Sequence, residues 1–108
     1  MARMSAQKQL VEDLWSIRTV LTPKDNWTQG SDARDANGNA CYPDMKEAVC
    51  WCFNGALELV GRAPVREAVL DAVWNTVGGS PISFNDGHTH RQVLAAIDKT
   101  IKRESALL

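Results

Sequence analysis

At 108 residues the chain has room for one hydrophobic core and not for a second. Its 44% hydrophobic and 23% charged residues exclude wholesale disorder, collagen-like repeats and coiled-coil composition. Twelve basic against thirteen acidic side chains, a formal charge of -1, leave no positive excess to drive sequence-independent binding to phosphate backbones, so direct nucleic-acid binding is not expected.

No apolar run approaches the ~20 residues that span a bilayer, and Met1 to Lys8 lacks the apolar centre of a signal peptide, so the expectation is a cytoplasmic protein without a membrane partner. Three cysteines, an odd number, agree with a reducing compartment. Cys50 and Cys52 lie two apart in a segment that reads as helix, which points them to different sides and suits neither a disulfide nor a shared metal. A Cys41 bridge to either stays geometrically open.

From Ser5 to Leu21, Leu10, Val11, Leu14, Trp15, Ile17 and Leu21 recur at three- and four-residue steps, and Thr22-Pro23 follows as a stop. This predicts an amphipathic first helix. Residues 22–43 carry little helical signal and read as a long ordered loop, in which Asn37-Gly38 is a type I′ turn signal that admits a small β-hairpin. The second helix is expected to start at Asp44, with Glu47 as the other half of a capping box, and to end at Gly61. Its stripe of Val49, Cys52, Phe53, Ala56, Leu57 and Val60 makes it the expected centre of the fold.

A third helix is predicted from Pro64 to Val77, with Val65, Ala68, Val69, Ala72 and Val73 on one face and Leu70, Trp74 and Val77 widening it, before Gly78-Gly79. The connection from Gly78 to His88 contains Ile82 and Phe84 as core plugs, with Asn85-Asp86-Gly87 as a turn. The fourth helix starts at Thr89, where Gln92 completes a Thr-x-x-Gln capping box, and carries Val93, Leu94, Ile97 and Ile101. The expected fold is therefore mainly α: one domain over residues 1–108, of about four helices, with the 22–43 loop packed across the second.

Trp51 is the anomaly in this pattern. On a helical wheel it falls opposite the Val49, Phe53, Ala56 and Val60 stripe, so it needs a cover, and the nearest uncommitted aromatic is Trp27 on the long loop. Gly55, one turn beyond Trp51, leaves space for a backbone or a ligand to come close. The loop either finishes the core over Trp51 or leaves a small ligand groove there.

The run Trp27-Thr28-Gln29-Gly30, then Ala33-Arg34-Asp35-Ala36-Asn37-Gly38, then Ala48-Val49-Cys50-Trp51-Cys52-Phe53-Asn54-Gly55-Ala56-Leu57, and last Asn85-Asp86 with Thr89-His90 and Val93-Leu94, resembles a family of small bacterial and phage proteins. That family is a domain of unknown function whose members read W-x-x-G, A-R-D-A-x-G, A-x-C-W-C-x-x-G-A-L and N-D followed by a T-H-containing helix start. The resemblance runs from Trp27 to Ile101. Members often carry Trp before the Asn-Asp pair and Arg before the Thr, where this chain has Phe84 and His88. The resemblance implies no activity. It implies an association with phages or mobile elements, and it groups Arg34, Asp35, Asn85 and Asp86 with the Trp51 helix as one unit.

Three functional readings follow. The first is a non-enzymatic binding module that recognises a protein or small-molecule ligand through Trp27, Arg34, Asp35, Trp51, Gly55, Asn85, Asp86 and His90, with no cofactor. Antagonism of a host defence system is one version of it, resting on the setting that the resemblance implies. The second is a cysteine-dependent hydrolase using Cys41 or Cys50 with His88 or His90, in which thiolate activation is the difficulty. The third is a structural protein whose tryptophans are only core and which acts as a homo-oligomer. A metal on His88-x-His90 lacks a C-x-x-C or H-x-x-x-H partner spacing and is not expected; His90 should open the fourth helix and His88 should be solvated.

Overall fold

The amphipathic repeat after Ser5 forms helix α1, Ala6–Leu21, whose Ser5 hydroxyl accepts the Lys8 amide at 3.1 Å. The computed structural model describes residues 5–61 and 63–108; Met1 to Met4, part of the segment read for a signal peptide, lie outside them. Leu10, Val11, Leu14, Ile17 and Leu21 are buried on one side of α1, whereas Trp15, one residue off that stripe, stands in solvent. The other long helices are α3, Ala63–Val77, and α5, His90–Ser105. Both follow the sequence expectation. The Thr89–Gln92 capping box at the start of α5 is complete, with each side chain taking the other's amide.

The 22–43 segment is the expected ordered loop, and it contains the small hairpin that Asn37-Gly38 admitted. A 3-10 turn at Lys24–Asn26 is followed by two short strands, β1 (Ala33–Arg34) and β2 (Ala40–Cys41), which pair antiparallel. Gly38 at φ +83° turns this hairpin, and no other residue in it has positive φ. The loop is therefore a type I turn closed by a left-handed glycine, not a type I′ turn. The Asp35 carboxylate supports it by accepting the amides of Asn37 and Asn39, both at 2.9 Å.

The expected start of the second helix is overturned. Asp44 and Glu47 form no capping box; residues 42–48 run through two successive turns, Met45 N–H to Tyr42 C=O and Ala48 N–H to Met45 C=O. Cys50–Trp51 is then a strand, β3, paired antiparallel to β1 in a sheet of order β2-β1-β3. Helix α2 begins only at Phe53 and ends at Val60. The physical reason is non-local: the open edge of β1 offers hydrogen-bond partners to residues 50–51 that an isolated helix would not need. Val49, counted on the core stripe, is consequently 46% exposed.

A second correction lies between Gly78 and His88. That connection is a fifth helix, α4 (Pro81–Gly87), capped by the Ser80 hydroxyl on the Ser83 amide, with Pro81 in its first turn. Asn85-Asp86-Gly87 is thus its last turn, and Ile82 faces solvent instead of plugging the core. Trp74, assigned to a widened apolar face of α3, is also exposed.

The core gathers Leu10, Leu14, Ile17, Phe53, Leu57, Val69, Val73 and Ile97 among others. Helix α1, and not α2, is its centre, because α1 packs against α2, α3 and α5. Arg18 on α1 closes the α1–α5 seam with a bidentate pair to Asp98 at 2.8 and 3.2 Å. A Cα radius of gyration of 13.5 Å is that of one packed domain of about this length. No described helix is long and apolar enough to cross a membrane.

Candidate functional site

The small sheet, the N-terminus of α2 and the C-terminus of α4 meet at Asn85. Its side chain is fully buried and every polar valence is used. Oδ1 accepts the Trp27 indole N–H at 2.8 Å and the Phe53 amide at 3.0 Å, while Nδ2 donates to the Thr28 carbonyl at 3.0 Å and to Asp86 Oδ1 at 3.2 Å. Phe53 is the first residue of α2, so a side chain from α4 satisfies an amide that has no intrahelical partner. Gln29 answers from the loop side: its Nε2 reaches the carbonyls of Asn85, Asp86 and His88 at 3.0, 3.2 and 2.8 Å, closing the end of α4. The Asp86 carboxylate accepts the Gly30 amide at 2.9 Å.

Arg34 and Asp86 do not meet each other. Arg34 braces the loop from within, donating to Thr28 Oγ1 at 3.1 Å, the Gly38 carbonyl at 3.1 Å and the Gln29 carbonyl at 3.0 Å. Trp51 lies on β3, where a parallel bridge joins it to Trp27 through the Thr28 amide and the Trp51 carbonyl at 3.0 Å. Its indole N–H donates to the Pro43 carbonyl at 2.9 Å. The wheel that left it uncovered does not apply, because the residue is extended. Gly55 does permit a close approach, and what comes close is backbone: a Cβ there would sit 1.7 Å from the Asp32 carbonyl oxygen. Arg34, Asn85, Asp86, Trp27, Trp51 and Gly55 thus belong to one joint between the loop, α2 and α4, whereas Asp35 stays in the hairpin turn and on the Cys41 side of the sheet.

Beyond that joint opens a groove of about 480 Å³, lined by Lys24, Trp27, Gln29 and residues 88–91. Two rings on its wall are held in place. The Trp27 indole is tied to Asn85, and His90 Nε2 lies 2.7 Å from the Leu21 carbonyl, with the two ring centroids 5.5 Å apart. His88, expected in solvent, is half-buried; it stacks on Phe84 at 3.7 Å with Nδ1 2.8 Å from the Phe84 carbonyl. Lys24 and Arg91, neither singled out from the sequence, are exposed at the groove and make no ion pair among the described residues. One sequence signal could have found Arg91: it is a cation in the first turn of a helix, where the dipole disfavours positive charge.

No cysteine lines that groove, and all three are free thiols. Cys41 lines a separate groove of about 570 Å³ that also holds Asp32, Asp35 and Glu47. Partial burial, then the neighbouring charges led by Asp35, push its thiol pKa upward, which disfavours the thiolate. Neither imidazole is hydrogen-bonded to a cysteine among the described residues, and no cluster of three or more His, Cys, Asp or Glu side chains among them could hold a metal ion.

Cys52 is not on a helical stripe but at the N-cap of α2, with Sγ accepting the Gly55 amide at 3.3 Å. Burial and the nearby Asp32 outweigh that cap and raise its thiol from an ordinary 9.0 to about 11. The folded state therefore holds this proton more tightly than the unfolded chain does. Its contribution to stability is complete below 9.0 and is lost as pH rises towards 11. Thermal melts across that window should fall more steeply for the wild type than for Cys52→Ser, which keeps a capping oxygen. Parallel slopes for the two proteins would contradict this assignment. Cys52 should also be the last of the three thiols to react with a maleimide under native conditions.

Comparisons with curated proteins and with solved structures return no match. The model of the family of unknown function DUF6197 matches residues 5–103, a span that includes the α1 core, the Asn85 joint and the groove beside it. The chain belongs to that family.

Proposed function

We propose that the protein is a non-enzymatic binding module that takes its ligand, a small molecule or an exposed part of a protein, in the groove beside the Asn85 joint. The observation that carries this reading is the pinning of the Trp27 and His90 rings, each through a ring nitrogen, on the wall of an open groove with uncommitted side chains at its edge. Rings held before a ligand arrives lose little freedom on binding, and a few fixed polar groups beside apolar surface are what recognition sites use. With the phage and mobile-element setting that the resemblance implies, we read the protein as an accessory factor acting in the host cytoplasm, with antagonism of host defence as one form of that role.

The test is a fragment screen followed in amide and indole NMR spectra of the full chain, using a set that spans anions, cations and neutral rings. Fragments should shift the Trp27 indole and the 88–91 amides, and a Cys41→Ser/Cys50→Ser variant should keep those shifts. Hits confined to the Cys41 groove and lost in that variant would favour the cysteine hydrolase instead. A groove that no fragment perturbs would overturn the binding reading.

A further inference from the structure

Resting on that reading of the groove, we propose that its ligand is a ring-bearing phosphate of the nucleotide class, with the phosphate between Lys24, Arg91 and the start of α5 and the flat ring against Trp27. Three observations converge on this chemistry. The first is charge: among the described residues lining the groove, two are cations outside any ion pair and none is a carboxylate, although the whole chain carries -1. Two positive charges at the rim of the groove match the roughly -1.5 to -2 charge of a phosphate monoester near neutral pH.

The second is local electrostatic conflict. The first turn of α5 contains no acidic residue and instead carries His90 and Arg91, at the end of a helix whose dipole favours negative charge. The capping box takes the amides of Thr89 and Gln92, so those of His90 and Arg91 remain for solvent or for an anion. A cation placed against the dipole is a net cost in the free protein, and an oxyanion seated on the amides and bridged to Arg91 removes it. The third is shape. The indole of Trp27 is held by Asn85 in a groove of about 480 Å³, within the range that small organic ligands occupy. Inorganic phosphate alone would leave that aromatic wall unused.

Calorimetry and amide spectra of the full chain with three probes separate these contributions: adenosine 5′-monophosphate, adenosine, and inorganic phosphate. The monophosphate should bind at least about tenfold tighter than either fragment of itself, shifting the His90 and Arg91 amides and the Trp27 indole together. Lys24→Ala and Arg91→Ala should each weaken it by about tenfold or more. Arg91→Ala should do so with an unchanged or raised Tm, which a merely structural arginine would not give. Adenosine binding as well as its monophosphate, or phosphate binding as well as the whole, would overturn the proposal. Absence of monophosphate binding where neutral or cationic fragments occupy the groove would overturn this ligand class and leave the binding module standing; a groove empty to every probe would overturn both.

Discussion

Gly55→Ala is expected to destabilise the protein by at least about 3 kcal/mol, at or beyond the upper end for overpacking. The added Cβ would meet the Asp32 carbonyl oxygen at 1.7 Å and its carbon at 2.7 Å, and both are backbone atoms with no rotamer to escape into. Relief requires the loop to lift off α2. That movement breaks the Cys52 amide to Asp32 carbonyl bond at 3.2 Å and loosens Asp32 Oδ1 from the Asn54 side-chain amide at 3.1 Å. Glycine inside a helix ordinarily costs about 1 kcal/mol relative to alanine, so an unobstructed Gly→Ala change would stabilise. Gly87→Ala, where a Cβ meets nothing within 4 Å and φ is not positive, is the matched control and should be neutral or mildly stabilising. Urea melts of both variants decide the matter. Near-equal stability of Gly55→Ala and the wild type would mean that the loop does not lie on α2 as described.

Asn85→Ala should cost about 4 kcal/mol, because truncation strands three partners at once. The Trp27 indole N–H, the Phe53 amide and the Thr28 carbonyl all lose their hydrogen bonds to a side chain with no solvent exposure. Leaving a buried donor or acceptor unpaired costs roughly 1–3 kcal/mol each, reduced where water can enter. Asn85→Asp separates the two halves of the network. A carboxylate still accepts from Trp27 and Phe53, but it has no N–H for the Thr28 carbonyl and stands against Asp86 Oδ1, which Nδ2 approaches to 3.2 Å in the wild type. Its loss should be smaller than that of the alanine variant, and stability relative to wild type should recover on acidification, when the protonated acid can donate again. Chemical denaturation over a pH series reads this directly. Asn85→Asp as damaged as Asn85→Ala at every pH would deny Oδ1 its role on Trp27 and Phe53.

The elements legible in the sequence are those whose signals are local. The three- and four-residue repeat from Leu10 to Leu21 and the Thr89–Gln92 box of α5 both lie within a few residues of the structure they specify, so no knowledge of the rest of the chain was required. The same holds for α3. Helix α4 had such a signal in Ser80-Pro81, an N-cap followed by a first-turn proline, but the Asn-Asp-Gly at its end reads equally well as a turn. What closes that helix is Gln29, more than fifty residues away, on the carbonyls of Asn85, Asp86 and His88.

The candidate site divides along the same line. Trp27, Trp51, Gly55, Arg34, Asp35, Asn85 and Asp86 could be grouped from their types and from the resemblance, but beyond Trp27 beside Trp51 they could not be assigned partners. Arg34 turns inward to the loop carbonyls, Asn85 serves as a trans cap for α2, and the backbone of Asp32 fills the space at Gly55. The stretch from Val49 to Val60 has a period that suits a helix, and only the open edge of β1 made residues 50–51 a strand and moved the helix start to Phe53. Composition, periodicity and caps thus determined the mainly helical fold and three of its helices. Tertiary contact decided the sheet, the start of α2 and the groove, because each depends on hydrogen bonds between groups far apart in the chain, whose geometry exists only after the core has packed.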